Sequence, residues 1–266
     1  MLRAMYSAIS GMRGFQTKLD VIGNNIANVN TPGFKAGRVM FSDLLSQTIS
    51  GASAPSANLG GINPKQVGLG SKISSIDTIF TDGSIQSTSN PTDLAIQGNG
   101  FFILKDSANN TYYTRSGNFQ IDKNGYLVAS NGMYVQGAGG KIQIPANATS
   151  FSIGNDGTVS YISNGNSTPT TIDTIQLATF SNPAGLEKVG DSMYQQSNNS
   201  GTAQVGNPGG AAGQGTIVSG ALEMSNVDLA NEFTEMIVAQ RGFQANSRII
   251  TTSDDILQEL VNLKRS

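Results

Sequence analysis

Four places in the chain carry residue types that could do chemistry. Asp254-Asp255 is an adjacent carboxylate pair of the sort used in acid–base catalysis. Asp122-Lys123-Asn124-Gly125 and Asn155-Asp156-Gly157 have the flavour of calcium loops, and Gly98-Asn99-Gly100 that of a dinucleotide loop. None is complete. The acidic loops lack the spaced ligands and closing Glu of an EF-hand and read as turns. Gly98-x-Gly100 lacks the third glycine, and its flanking residues fit a hairpin better. Asp254-Asp255 falls in a C-terminal helical pattern, where solvated or intersubunit charges are the simpler reading. Cysteine, histidine and tryptophan are all absent. That removes thiolate sites, His-based triads and the commonest transition-metal ligand, and there is no Gly-x-Ser-x-Gly elbow. A glycan hydrolase would need two acids converging in a cleft, and no pair can be nominated. The reading is therefore no enzyme, no catalytic residue, no cofactor and no metal.

If the chain does no chemistry, its patterns must serve architecture. Its 266 residues suffice for one large or two small domains with a real core. Charged residues make up 13% and the formal net charge is −2, so no basic face points to nucleic acid or an anionic membrane. No segment approaches the roughly 18 apolar residues of a membrane span, so membrane insertion is not expected. Met1–Ser10 lacks the charged and apolar regions of a cleaved signal; if the protein leaves the cytoplasm, a dedicated exporter is expected to carry it.

The strongest pattern lies at the two ends. Met5, Ala8, Met12, Phe15, Leu19, Ile22, Ile26 and Val29 are separated by alternating steps of 3 and 4, the spacing of a coiled-coil seam. Leu229, Met236, Phe243, Ile250 and Leu257 recur every seven residues, with Phe233, Gln240 and Val261 at the intermediate seam positions. Helices are predicted from about Leu2 to Asn28 and from about Val227 to Leu263, packing together and onto further copies of themselves. Gly11, Gly14 and Gly23 each cost the first helix about 1 kcal/mol against alanine, so it is expected to order only on assembly. Thr31-Pro32-Gly33 stops it, and Ser225-Asn226-Val227-Asp228 reads as a capping box opening the second, with Ser or Asn as the cap.

Between them the expected fold is antiparallel β, giving an α+β chain: a coiled-coil-like core of terminal helices (1–34 and 226–266) and a central all-β domain (77–197). Residues 35–76 read as an irregular connection, with a short amphipathic turn at Phe41, Leu44 and Leu45 and a long excursion over Ser50–Gly70. Residues 198–225 read as a flexible Gly/Asn-rich linker and return strand. Hairpins are expected around Gly98-Asn99-Gly100, Asn124-Gly125 and Asp156-Gly157, and a further strand over Ile175–Phe180.

Leu19-Asp20-Val21-Ile22-Gly23-Asn24-Asn25-Ile26-Ala27-Asn28-Val29-Asn30-Thr31-Pro32-Gly33-Phe34-Lys35 resembles the signature of bacterial flagellar rod and hook proteins. Met224-Ser225-Asn226-Val227-Asp228-Leu229 and Met236 to Ser247 resemble the C-terminal helix of hook and distal rod proteins, and Gly98 to Phe102 and Tyr113 to Phe119 resemble their β-domain strands. The resemblance spans the chain. It implies an axial flagellar protein whose terminal helices form the inner core of a tube. Asn24 and Asn25 join the seam residues in the implied interface. The implied partners are further copies, neighbouring rod and junction proteins, the hook cap and the export apparatus, in the hook or basal body. The runs Met1–Lys35 and Leu257–Arg265 are most similar to short hook proteins, which favours a flexible torque-transmitting hook. The long Ser50–Gly70 excursion, and a length that leaves no room for the further outer domain many hooks carry, keep a rigid distal rod as the alternative. Outside the resemblance, a coiled-coil stalk presenting a β head as an adhesin is the rival class.

Overall fold

The computed structural model describes residues 2–55, 60–163, 168–210 and 213–263. Part of the Ser50–Gly70 excursion, two residues of 198–225, and the Met1 and Arg265 limits lie outside the described residues. The chain divides into two compact units. One comprises 1–27, 37–78 and 228–266; the other comprises 28–36 and 79–227.

In the first unit, helix α1 spans Leu2–Ala27 and α2 spans Leu229–Leu263. They run antiparallel, with Asn25 beside Glu232, Phe15 against Gly242 and Gly11 against Asn246. Extended one for one, this pairing brings Leu2 opposite Asp255, so the last two turns of α2 reach past α1. The expected cap, Ser225 or Asn226, is corrected to the last residue of that run. Asp228 is the cap, its Oδ1 accepting from Ala230 N at 2.9 Å and its carbonyl from Glu232 N at 2.9 Å. Asn226 cannot cap, because its side chain is occupied in the other unit.

The irregular connection expected over 35–76 is largely strand at its two ends, 37–50 and 65–78, and Phe41 lies in no helical turn. Strand Gly37–Asp43 pairs antiparallel with Ser71–Thr78, and Ser46–Ser50 with Lys65–Gly68. Along Ser71–Thr78 half-buried residues alternate with exposed ones up to Asp77, as in a strand with one face covered. The helical reading failed because Phe41, Leu44 and Leu45 are too few to separate a period of 3.6 from one of 2.

Every strand pairing among the described residues of the second unit is antiparallel, with one 3-10 turn at Pro183–Gly185. Its large sheet runs Glu187–Gly190, Met193–Gln195, Thr111–Thr114, Phe101–Lys105, Tyr134–Gly137, Leu127–Ala129, Phe119–Ile121, with Gly140–Lys141, Leu177–Thr179 and Gln204–Gly206 attached. Phe101–Lys105 is buried on both faces. Phe102 and Leu104 enter one core with Phe119, Leu127 and Val135, while Phe101 and Ile103 enter another with Tyr113, Phe180 and Tyr194. Phe102 and Phe119 meet edge to face at 5.1 Å. A separate sheet is formed by Ala148–Ile153, Thr158–Ser163 and Thr170–Thr174.

Two of the expected hairpins form. Asn124-Gly125 joins Phe119–Ile121 to Leu127–Ala129, and Asp156-Gly157 joins Ala148–Ile153 to Thr158–Ser163. The one at Gly98-Asn99-Gly100 does not. Leu94–Gln97 pairs with Thr216–Ser219, far along the chain, and Gly98 and Gly100 at φ +100° and +143° swing the next strand into the large sheet. Ile175–Phe180 contributes the shorter strand Leu177–Thr179. The expected linker is partly structural too: Gln204–Gly206 pairs with Leu177–Thr179, and Ser200 is fully buried.

Candidate assembly surface

The residues expected at the seam fall into two groups. On α1, Ala8 and Ile22 are buried and Met5, Met12, Phe15, Leu19 and Ile26 are half-buried. Glycines allow the helices to close. A Cβ on Gly242 would lie 2.6–2.8 Å from three atoms of the Phe15 ring, one on Gly14 would lie 2.7 Å from Phe41, and one on Gly11 3.1 Å from Asn246. Two of the three glycines that weaken α1 as an isolated helix are thus points of close approach, while Gly23 faces nothing within 4 Å. Val29 lies in the second unit, half-buried.

Asn24 is exposed, whereas Asn25 is 1% exposed and engaged within its own chain. Its Nδ2 donates to Gly37 O at 2.9 Å and to Glu232 Oε1 at 3.0 Å, and its Oδ1 accepts from Gly37 N at 2.9 Å. Burial holds the Glu232 carboxyl above the usual carboxylate range, opposed by that Asn25 hydrogen bond. One turn on, Lys18 pairs with Glu235.

On α2, Met236, Phe243, Ile250 and Leu257 are half-buried, whereas Leu229, the first residue of that seven-residue series, is exposed. The intermediate positions are shifted by one. Ala239 and Ser253 are buried and Asn246 half-buried, while Phe233, Gln240 and Val261 are exposed. Small side chains at 239, 242 and 253 let α1 come close, which larger residues at the shifted positions would prevent. Leu229, Phe233 (51%), Ile237 (58%), Val238, Ile249, Ile256 and Val261 (58%) therefore stay exposed. The two helices do not satisfy each other's apolar surface.

In the second unit, the pattern missed a buried ion cluster. Lys35 and Glu223 are both fully buried, with Nζ 2.6 Å from Oε1. Lys35 also donates to Thr81 O at 2.7 Å. Glu223 Oε1 accepts from Gly83 N at 3.0 Å, and its Oε2 lies 3.3 Å from Arg115 Nη1. Burial lowers the Lys35 amine, and the Glu223 carboxylate opposes that shift. Gly33 N donates to Glu223 O at 2.8 Å. A Cβ on Gly33, whose φ is +69°, would lie 2.5 Å from Ser116 N. The Pro-Gly turn is thus seated on the Arg115-Ser116 backbone. Asn226 completes the joint, accepting from Ala36 N at 2.8 Å and donating to Ile79 O at 2.9 Å. Charged residues inside the resembling motifs, Lys35 and Arg115, were the available signal.

The described residues bring together no group of three or more metal-ligating side chains, and no helix is long and apolar enough to cross a membrane. What they do present is a helix pair with an uncovered apolar stripe and, separately, an antiparallel β unit pinned within itself by a buried ion cluster. Known families match in the same order. Residues 5–35 match the flagella basal body rod protein model, 95–161 the flagellar hook protein FlgE/F/G D1 domain, and 218–263 the flagellar basal body rod FlgEFG protein C-terminal region. The chain belongs to the flagellar hook and basal-body rod family, whose members are structural proteins rather than enzymes. It is 58% identical over 266 residues, all of both chains, to the flagellar basal-body rod protein FlgG of Bacillus subtilis. It is 41% identical to that of Caulobacter vibrioides over 265 residues, 99% of this chain and all of the relative. The flagellar hook protein FlgE of Borreliella burgdorferi is 32% identical over 443 positions, covering 99% of this chain and all of the hook protein. These matches support the rod alternative better than the expected hook. The terminal motifs are shared by rod and hook proteins, so the ends alone do not tell the two apart.

Proposed function

We propose that the chain is a subunit of the flagellar basal-body rod, a rigid shaft built from many copies. The observation that carries this is the end-to-end 58% match to a rod protein of the same aligned length, against 443 positions needed to align a hook protein. Assembly covers the exposed α2 stripe, Leu229, Phe233, Ile237, Ile249, Ile256 and Val261, with helices of neighbouring copies in coiled-coil-like packing. Each contact joins different surfaces of two copies and so propagates into a helical tube instead of closing into a ring. The ribbon Ser46–Ser50 with Lys65–Gly68, exposed at every residue, is marginal as two isolated strands and gains its order from a neighbour. Other axial proteins, a cap and the export apparatus are the further partners of such a subunit.

Electron microscopy of assemblies grown from the purified chain tests the proposal. Straight, stiff tubes are expected. Smoothly curved tubes of variable bend restore the hook, and a closed trimer with no polymer favours the adhesin stalk.

A further inference from the structure

The outer face of α2 carries a charge pattern that its own chain does not answer. Arg241, Arg248, Asp255 and Glu259 are all exposed. At about 100° per residue they fall within an arc of about 40°, roughly opposite the inward-facing Ala239 and Ser253. Among the described residues none of the four enters an ion pair. Within the helix the pattern is unfavourable. Asp255 and Glu259 are one turn apart, so like charges sit together. Both acids lie toward the C-terminal end, where the helix dipole favours cations. The positions one turn after Arg248 and one turn before Asp255, where a partner would stand, are Thr251 and Thr252.

A second copy running the same way supplies the missing partners. The arginine pair and the acid pair are centred about 12–13 residues apart, or about 19 Å along the helix. Sliding one α2 by that distance past a parallel neighbour sets Asp255 and Glu259 of one copy beside Arg241 and Arg248 of the next. Unshifted, arginine would lie beside arginine and acid beside acid. Neighbouring helices pack about 8–10 Å apart, a gap these long side chains span together. Exposed ion pairs add little affinity. The exposed apolar flank of Val238, Ile249 and Ile256 therefore supplies adhesion, and the charges select the shift. We propose that this face of α2 is a contact between copies whose charges fix the axial stagger of neighbouring subunits at about 19 Å. The parallel orientation rests on the rod reading, since subunits related by a screw axis all point one way. An antiparallel pair would match the same charges, but it closes as a dimer and stops growth.

Charge reversal in the full-length chain tests this, with polymer measured by sedimentation. Arg241→Glu with Arg248→Glu makes the face wholly acidic, and Asp255→Arg with Glu259→Arg makes it wholly basic. Each is expected to raise the concentration needed for polymerisation at least about tenfold at low salt, an effect that high salt shrinks. Mixed in equal amounts, the two should polymerise together near the parental concentration. The chain with all four reversals should polymerise alone but should not extend parental seeds. Should either double variant not fold, that seeding experiment decides. Orientation is read from Thr251→Cys, in a chain that otherwise lacks cysteine. A short thiol cross-linker joins copies at this midpoint in an antiparallel pair but cannot span a shift of about 19 Å, so no cross-linked dimer is expected. Unimpaired double variants, a mixture that does not recover, free extension of parental seeds by the four-reversal chain, or cross-linked dimers each overturn the proposal. Parental tubes would still form in those cases and keep the rod reading; a parental chain that forms no polymer overturns both.

Discussion

Lys35 and Glu223, 188 positions apart in the chain, meet at 2.6 Å with neither side chain exposed. The same carboxylate also holds Arg115 and the Gly83 amide, so segments 28–36, 79–83 and 221–227 converge on one side chain. Removing one partner of such a pair strands a buried charge, at about 3–5 kcal/mol. Glu223→Gln is therefore expected to lower the stability of the β unit by that order. Adding Lys35→Met should recover part of the loss. Denaturant unfolding followed by circular dichroism and tyrosine emission measures both, since the chain has no tryptophan.

Gly242 and Gly23 predict opposite outcomes for the same exchange. Gly242→Ala drives a methyl into the Phe15 ring and should destabilise the helix pair by about 1–3 kcal/mol. Trimming Phe15 to Leu in the same chain should return much of it. Gly23→Ala meets nothing within 4 Å and should stabilise by up to about 1 kcal/mol. Thermal melts of the three variants check the signs.

Assembly and folding should separate at the outer α2 stripe. Phe233→Asp with Ile237→Asp alters residues that are already exposed, so the monomer should melt as before while polymerisation is lost. Leu19→Asp with Ile26→Asp also disturbs half-buried positions and should leave the β unit folded but damage the helix pair as well as the polymer. Sedimentation and electron microscopy distinguish the two. Normal tubes from the α2 double variant would remove that stripe from the interface.

Glu232 predicts a pH effect. Burial raises its carboxyl above the value it has in the unfolded chain, so the folded state holds the proton more tightly. That contribution is present below the unfolded value and is lost as pH rises through the folded one. Glu232→Gln keeps an acceptor for Asn25 Nδ2 and removes the charge. It should melt higher than the parent at pH 7, with the difference shrinking toward the acid range.

Free subunits and tubes should differ in amide exchange. Fast exchange over residues 2–27 and 229–263 of the monomer, slowed on assembly, is expected if the helices gain their order from neighbours. Slow exchange in the monomer would mean a preformed pair.

How much of this could be read from residues alone depended on the range of the interaction. α1, α2 and the Asn124-Gly125 and Asp156-Gly157 turns follow local rules, and each was legible. Gly98-Asn99-Gly100 misled because a glycine turn specifies a change of direction, not the strand that will pair; Leu94–Gln97 found its partner at Thr216–Ser219. The intermediate α2 positions were misplaced because apolar spacing favours large residues, whereas Ala239 and Ser253 face inward for being small. Lys35, Arg115 and Glu223 are ordinary charges until the fold collects them. The preference for a hook over a rod came from terminal motifs that both kinds of protein share.

The fit of Phe15 into the space left by Gly242 also constrains descent. Position 242 cannot drift alone: a lineage that gains a side chain there must first, or at once, shrink the ring at 15. Across diverged relatives the two sites should change in tandem, a bulky residue at one coinciding with a hydrogen at the other.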